Sequence, residues 1–209
     1  MKIVLLANTE QKEELIAQGR DVPAELVWSA EFTSLADVRG ADACIDLLFD
    51  DTAERIKKLR QLQTQVIIIN SVISPLNELG SGCIRINGWN TFLKRPIIEA
   101  AGHDNLKIKA EQVFSLFNKK VEWVADIAGF ISARVVASII NEAWFALEER
   151  VSTKEEIDTA MKLGTNYPYG PFEWNEKIGI KNIYTLLNRL SEKQKRYEPA
   201  PLLTKEASV

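Results

Sequence analysis

An α/β domain with a mostly parallel sheet, followed by an all-α domain, is the fold class this 209-residue sequence predicts. Three observations carry it. Through the first half, short apolar runs alternate with helical stretches long enough to cross a sheet, which favours parallel pairing. The run "VIIIN" at 66–70 lacks the polar alternation of a one-sided strand, so it reads as a central strand covered on both faces. From residue 129 the period changes, and Val136, Ile139, Ile140, Ala143 and Leu147 form one helical stripe.

The elements follow in order. Residues 2–7 read as a buried strand and 9–19 as the helix after it. Strands at 25–29 and 43–49, a charged helix at 52–62 and the strand at 66–70 come next. "CIRINGWNTF" and "PIIEAAG" read as further strands, and 106–118 as a helix returning over the sheet. In the helix at 129–151, Ile131, Val135 and Phe145 add a second apolar side, more than one packing partner demands. "STKEEIDTAMKLG" begins with Ser152 or Thr153 as N-cap, carries acids in its first turn and stops at Gly164. "GTNYPYGPFEW" reads as a compact loop, 181–194 as a last helix, and the tail beyond Tyr197 as loose. A Rossmann-like N-terminal domain with a shortened sheet region is thus expected over 1–124, and a helical domain over 125–209.

Composition excludes several function classes. A formal charge of −3 gives no pull toward nucleic acid or an anionic membrane. No apolar run approaches the ~20 residues of a membrane span. The chain enters a strand without a charged-then-apolar leader, which points to the cytoplasm. Cys44 and Cys83 lie in apolar runs, as buried thiols in a reducing compartment do. No Cys/His cluster has metal-ligand spacing, and His103, flanked by Gly102 and Asp104, reads as a solvated loop residue.

The opening "MKIVLLANTEQKEEL" bears directly on function. A first strand turning straight into a helix is where a doubly wound fold grips a dinucleotide. That grip needs G-x-G-x-x-G: a glycine for the turn, one for close approach of the pyrophosphate, and one for helix packing. Here Ala7, Asn8 and Thr9 stand in the turn, with no glycine among them. Glu10, Glu13 and Glu14 occupy the first turns of the helix, where they favour its dipole but repel a pyrophosphate. Glu31 lies about where a ribose-binding acid belongs, though a lone acid after a strand is more often simply solvated.

The second half carries a resemblance. "GFISARVVASIINEAWFALEERVSTKEEIDTAMKLGTNYPYGPFEWNEKIGI" closely resembles the C-terminal domain of the 3-hydroxyacyl-CoA dehydrogenases, with G-F-I-x-N-R, then N/M-E-A, then I-D-x-A-M-K-x-G-x-x-x-P-x-G-P-F-E. In the first half, "GADACIDLLFDD", "VIIINSVISPLNEL" and "RINGWNTFLKRPIIEA" resemble the same family more faintly.

The resemblance implies NAD as cofactor and oxidation of an acyl-CoA 3-hydroxyl, with a histidine as base, a glutamate orienting it, and a serine and an asparagine on the substrate oxygen. Transferred residue by residue, the histidine falls on Asn90, the serine on Val72 and the asparagine on Ala133. The glutamate alone is retained, as Glu99, with three residues fewer between it and Asn90 than in the family. Asn70, Asp50 and Arg55 match positions near the nicotinamide. Where the family carries a long CoA-contacting helical excursion, this chain has only "EFTSLADVR". Beyond the resemblance no cofactor is expected. The expectation is a degenerate member that keeps a homodimer through its C-terminal helices, or pairs with an active dehydrogenase homologue. The alternative is an enzyme using Glu99 as base on a smaller substrate, with Asn90 holding the oxygen.

Overall fold

The computed structural model describes residues 1–19, 25–30, 40–80 and 82–208. Two compact units divide the chain, Met1–Phe130 and Ile131–Val209.

The first unit is built on one sheet. Its strands are β1 (Lys2–Leu6), β2 (Glu25–Ser29), β3 (Ala43–Asp46), β4 (Val66–Asn70), β5 (Ile84–Ile86), β6 (Ile97–Ala101) and β7 (Lys120–Trp123), in the order β2-β1-β3-β4-β5-β6-β7. Every pairing is parallel except β5 with β6. The order reverses at β1, which lies between β2 and β3. The crevice outside the carboxyl ends of β1 and β3 is therefore the switch point, where open α/β sheets take their ligands. Seven strands of this sheet lie among the described residues. Lys120–Trp123, for which no strand was expected, adds an edge strand whose alternating exposed and half-buried residues carry little apolar signal.

Among the described residues of this unit are the helices α1 (Thr9–Ile16), α2 (Ala53–Arg60), α3 (Leu76–Leu79) and α4 (Asp104–Ser115). One core cluster joins Ile3, Leu5, Ile45, Ile68, Ile84 and Ile86 of the sheet to Leu15 of α1 and Val113, Phe114 and Phe117 at the end of α4. Val4, Leu6 and Cys44, the alternate residues of β1 and β3, make a second cluster. Both faces of the central strands are thus buried, as their unbroken apolar character requires. Cys44 and Cys83 are free and buried, and burial pushes the Cys44 thiol up to about 12.

Residues 126–130 belong to the sheet unit because Arg85 holds them there. Its side chain is fully buried, and Nε donates to Asp126 Oδ1 at 2.5 Å. Nη1 donates to the Ser71 carbonyl at 2.7 Å and Nη2 to the Ile127 carbonyl at 2.5 Å. The Phe130 ring lies 4.1 Å from the guanidinium, and Gly129 N–H donates to the Val72 carbonyl at 2.7 Å. One planar cation so ties the loop after β4 to the chain's exit from the unit.

The second unit contains α5 (Ser132–Glu148), α6 (Lys154–Thr165), α7 (Pro171–Ile178), α8 (Ile180–Ser191) and α9 (Pro201–Ala207). The stretch read as a compact loop includes α7. Pro171 starts that helix, Glu173 accepts from Gly170 N–H at 2.9 Å, and Asp158 accepts from Phe172 and Glu173 N–H at 2.8 and 3.1 Å. A Cβ on Gly170 would lie 2.3 Å from the Asp158 side chain, so only glycine fits. The tail expected to be loose forms α9, because Asn141 donates to the Glu198 carbonyl at 2.9 Å and accepts from Ala200 N–H at 2.8 Å. No helix among the described residues is long and apolar enough to cross a membrane.

Replacing Arg85 with Leu removes a donor from the Asp126 carboxylate and from the Ser71 and Ile127 carbonyls. The expected cost in urea denaturation is about 3 kcal/mol, the scale for breaking a buried pair. Lys58→Ala, which removes the exposed i,i+4 pair with Glu54, should leave the urea midpoint nearly unchanged in the same assay.

Candidate functional site at the carboxyl edge of the sheet

The switch point is filled by the chain's own polar groups. Asn8 caps α1: its Oδ1 accepts from Gln11 N–H at 2.8 Å, and Gln11 Oε1 accepts from Asn8 N–H at 3.1 Å. This reciprocal pair satisfies donors that a helix N-terminus otherwise offers to a phosphate. Gln11 then spans the crevice, its Nε2 donating to the Leu47 carbonyl just past β3 at 2.9 Å. Asn70, at the end of β4, donates to the same carbonyl at 3.3 Å and accepts from Gly88 N–H at 3.0 Å. At the other side, the Trp28 indole donates to the Ala7 carbonyl at 2.8 Å, and the Lys12 ammonium lies 3.8 Å from the centre of its ring.

Residues 88–95 lie along α1. Asn90 Nδ2 donates to Glu10 Oε2 at 3.0 Å, both Glu14 oxygens accept from Thr91 N–H at 2.8 Å, and Gln18 Nε2 donates to the Lys94 carbonyl at 2.7 Å. Residues 10 and 14 lie one turn apart on one face of α1, and Gln18, just past the helix end, adds a third anchor to the segment. Thr91 has φ 77°, a left-handed conformation strained for a β-branched residue. Burial raises the pKa of Glu14, and its bond to Thr91 N–H and the charge of Lys94 only partly oppose that.

The positions singled out in the sequence have the following places. Glu99, half-buried on β6, accepts from Asn87 Nδ2 at 3.2 Å, while Asn90 is engaged by Glu10. Val72 is buried, and its carbonyl takes the Gly129 and Arg85 bonds. Ala133 is buried on the first turn of α5, in the second unit. Arg55 makes a two-pronged pair with buried Asp46, at 2.7 and 2.6 Å. Burial raises the Asp46 pKa, and the guanidinium opposes that. Asp50 Oδ1 accepts from the Thr52 hydroxyl at 2.6 Å, at the start of α2. Ala7, Asn8 and Thr9 make the turn into α1. Glu31 and the stretch 31–39 lie outside the described residues. Gln11, Trp28 and Thr91 were not singled out. The Asn8–Gln11 spacing is a capping-box signal, and it could have identified the first of them.

Comparison with known proteins sets this edge in context. Residues 129–208 match the model for the 3-hydroxyacyl-CoA dehydrogenase C-terminal domain. A probable 3-hydroxybutyryl-CoA dehydrogenase of Bacillus subtilis is 39% identical over 189 residues, 82% of this chain and 66% of that protein. This chain belongs to the 3-hydroxyacyl-CoA dehydrogenase family. The 3-hydroxyadipyl-CoA dehydrogenase of Escherichia coli is 41% identical over 110 residues, but these are 52% of this chain and only 23% of that protein. The (S)-3-hydroxybutyryl-CoA dehydrogenase of Ralstonia eutropha superposes with a TM-score of 0.78, covering 99% of this chain and 93% of that one. At 19% identity that likeness concerns the fold alone.

The family implies NAD, and the residues at this edge do not fit it. The capping box takes the Gln11 N–H of α1, Gln11 crosses the crevice, and Glu10 and Glu14 place carboxylates where a pyrophosphate needs positive potential. The dehydrogenase edge is here an internal polar seam.

The Glu14 contact has a pH signature. Its native pKa lies above the unfolded value, so the native state holds the extra proton between the two. Its contribution to stability is therefore expected to fall as pH rises from about 4.3 through the native pKa. Glu14→Gln still accepts from Thr91 and should flatten that part of the urea-midpoint profile. A profile unchanged by the substitution contradicts the assignment.

Proposed function

We propose that this chain is a catalytically degenerate 3-hydroxyacyl-CoA dehydrogenase that serves as a scaffold or weak acyl-CoA or nucleotide binder. The observation that carries this reading is Asn90. At the position matching the family's base stands an amide that takes no proton at neutral pH and is already committed to Glu10. Loss of a general base alone forfeits about 10²–10⁴ in rate. Val72 and Ala133, both buried and apolar, replace the groups that would hold the substrate oxygen. The buried free thiols support a reducing compartment such as the cytoplasm.

Self-association fits the same reading. Ile131 and Val135, one turn apart at the start of α5, are 59% and 54% exposed. A homodimer through these helices, or pairing with an active homologue, would bury them. Val135→Glu is expected to shift the chain toward monomer in sedimentation at micromolar concentration.

A second reading is favoured by Glu99, which is half-buried and hydrogen-bonded to Asn87. There it acts as base on a smaller substrate. Assaying NADH consumption with acetoacetyl-CoA separates the two. The expected rate equals that of buffer, and Glu99→Gln changes nothing. Turnover that Glu99→Gln abolishes supports the second reading and sinks the first.

A further inference from the structure

The sheet of the first unit ends in a strand whose outer side is open among the described residues. β7 is last in the strand order and pairs with β6 in parallel, with Ile97 beside Lys120 and Glu99 beside Glu122. Lys120 N–H donates to the Pro96 carbonyl at 2.8 Å, and Val124 N–H to the Ala100 carbonyl at 2.9 Å. Residues 120, 122 and 124 therefore turn their backbone toward β6, while Val121 and Trp123 turn theirs outward. Such an outward row is a template for another strand.

The side chains of β7 sort by face. Val121 and Trp123 pack on the core beneath α4, where the Trp123 indole donates to Glu111 at 2.6 Å. Lys120 and Glu122 are exposed on the opposite face, and no ion pair among the described residues engages either. Large apolar side chains are exposed beside this edge on both faces. Ile97, next to Lys120, is 52% exposed, and Ile108 of α4, about one turn from Glu111, is 70% exposed.

Charges on an edge strand ordinarily guard it against pairing. Here they alternate in sign, so one antiparallel register matches them. Centred on Val121, that register sets Lys120 opposite the partner's Glu122 and Glu122 opposite the partner's Lys120. Centring on Lys120 or Glu122 sets like charges directly opposite, and centring on Trp123 leaves Glu122 against the partner's Val124. In the matching register the outward N–H and C=O of Val121 are exchanged with those of its own counterpart.

We propose that β7 pairs with β7 of a second copy of this chain about a two-fold axis at Val121, joining two sheets edge to edge. The two α4 helices then lie on either side of the axis, which brings Ile108 toward its counterpart. This contact lies in the first unit and is separate from pairing through α5.

The test uses the full Val135→Glu chain, so that association through α5 does not mask the edge. The probe is the Val121 amide signal of the 15N-labelled chain at increasing concentration. So short an edge belongs with the small, transient interfaces, and a Kd on the order of 1 mM is expected. The Val121 signal should move with concentration. Glu122→Lys and Lys120→Glu, each setting like charges opposite, should each weaken self-association about tenfold. An equimolar mixture of those two variants pairs opposite charges again and should recover the association of the parent. A Val121 signal that stays fixed as the parent chain is concentrated overturns the proposal, and leaves β7 a guarded edge or the seat of some other strand. Variants that associate as the parent does, or a mixture no tighter than its components, overturn it too.

Discussion

The carbonyl of Leu47 is the point on which the carboxyl edge of this sheet turns. It projects from the end of β3 at the switch point, where the fold leaves a crevice, and two side chains reach it there. Gln11 comes from α1 and Asn70 from β4. Asn70 in turn accepts from Gly88 N–H, so the loop after β5 is anchored to the same spot. Two side chains meet at one acceptor, and the loop after β5 joins them through Asn70. In a dinucleotide site those groups would face the cofactor, and here they face each other.

The consequences run along α1. With the Gln11 N–H closed by the capping box, the helix presents carboxylates to its surroundings, and residues 88–95 supply matching donors. The strained backbone at Thr91 persists because Glu14 captures its N–H with both oxygens. This places Asn90 against Glu10, while Glu99 turns to Asn87. Arg55 shows the same inward turn, since buried Asp46 takes its guanidinium. The polar groups at the carboxyl edge of the sheet are bonded to one another within the unit.

Much of this was legible in the sequence. The strand–helix alternation, the missing glycines and the family motif at 129–180 needed only local pattern. Asn90 and Val72 needed only a residue type that cannot do the expected chemistry. What sequence could not supply was pairing at a distance: Asn90 and Glu10 are 80 residues apart, and Gln11 and Leu47 are 36. Short or weakly apolar elements also escaped. Lys120–Trp123 is an edge strand with two half-buried residues, and α7 hides in a proline- and glycine-rich stretch until Asp158 caps it. The tail failed for a similar reason, because Asn141, far upstream, is what fixes the entry to α9.

Direct binding of NADH, measured by isothermal titration calorimetry on the full chain, bears most immediately on whether the switch point is closed. A seam of this kind should give no saturable heat up to about 1 mM NADH, a limit near −4 kcal/mol. One-site binding with a Kd below about 100 µM would show that the crevice still admits the dinucleotide, and would contradict the closed edge described above.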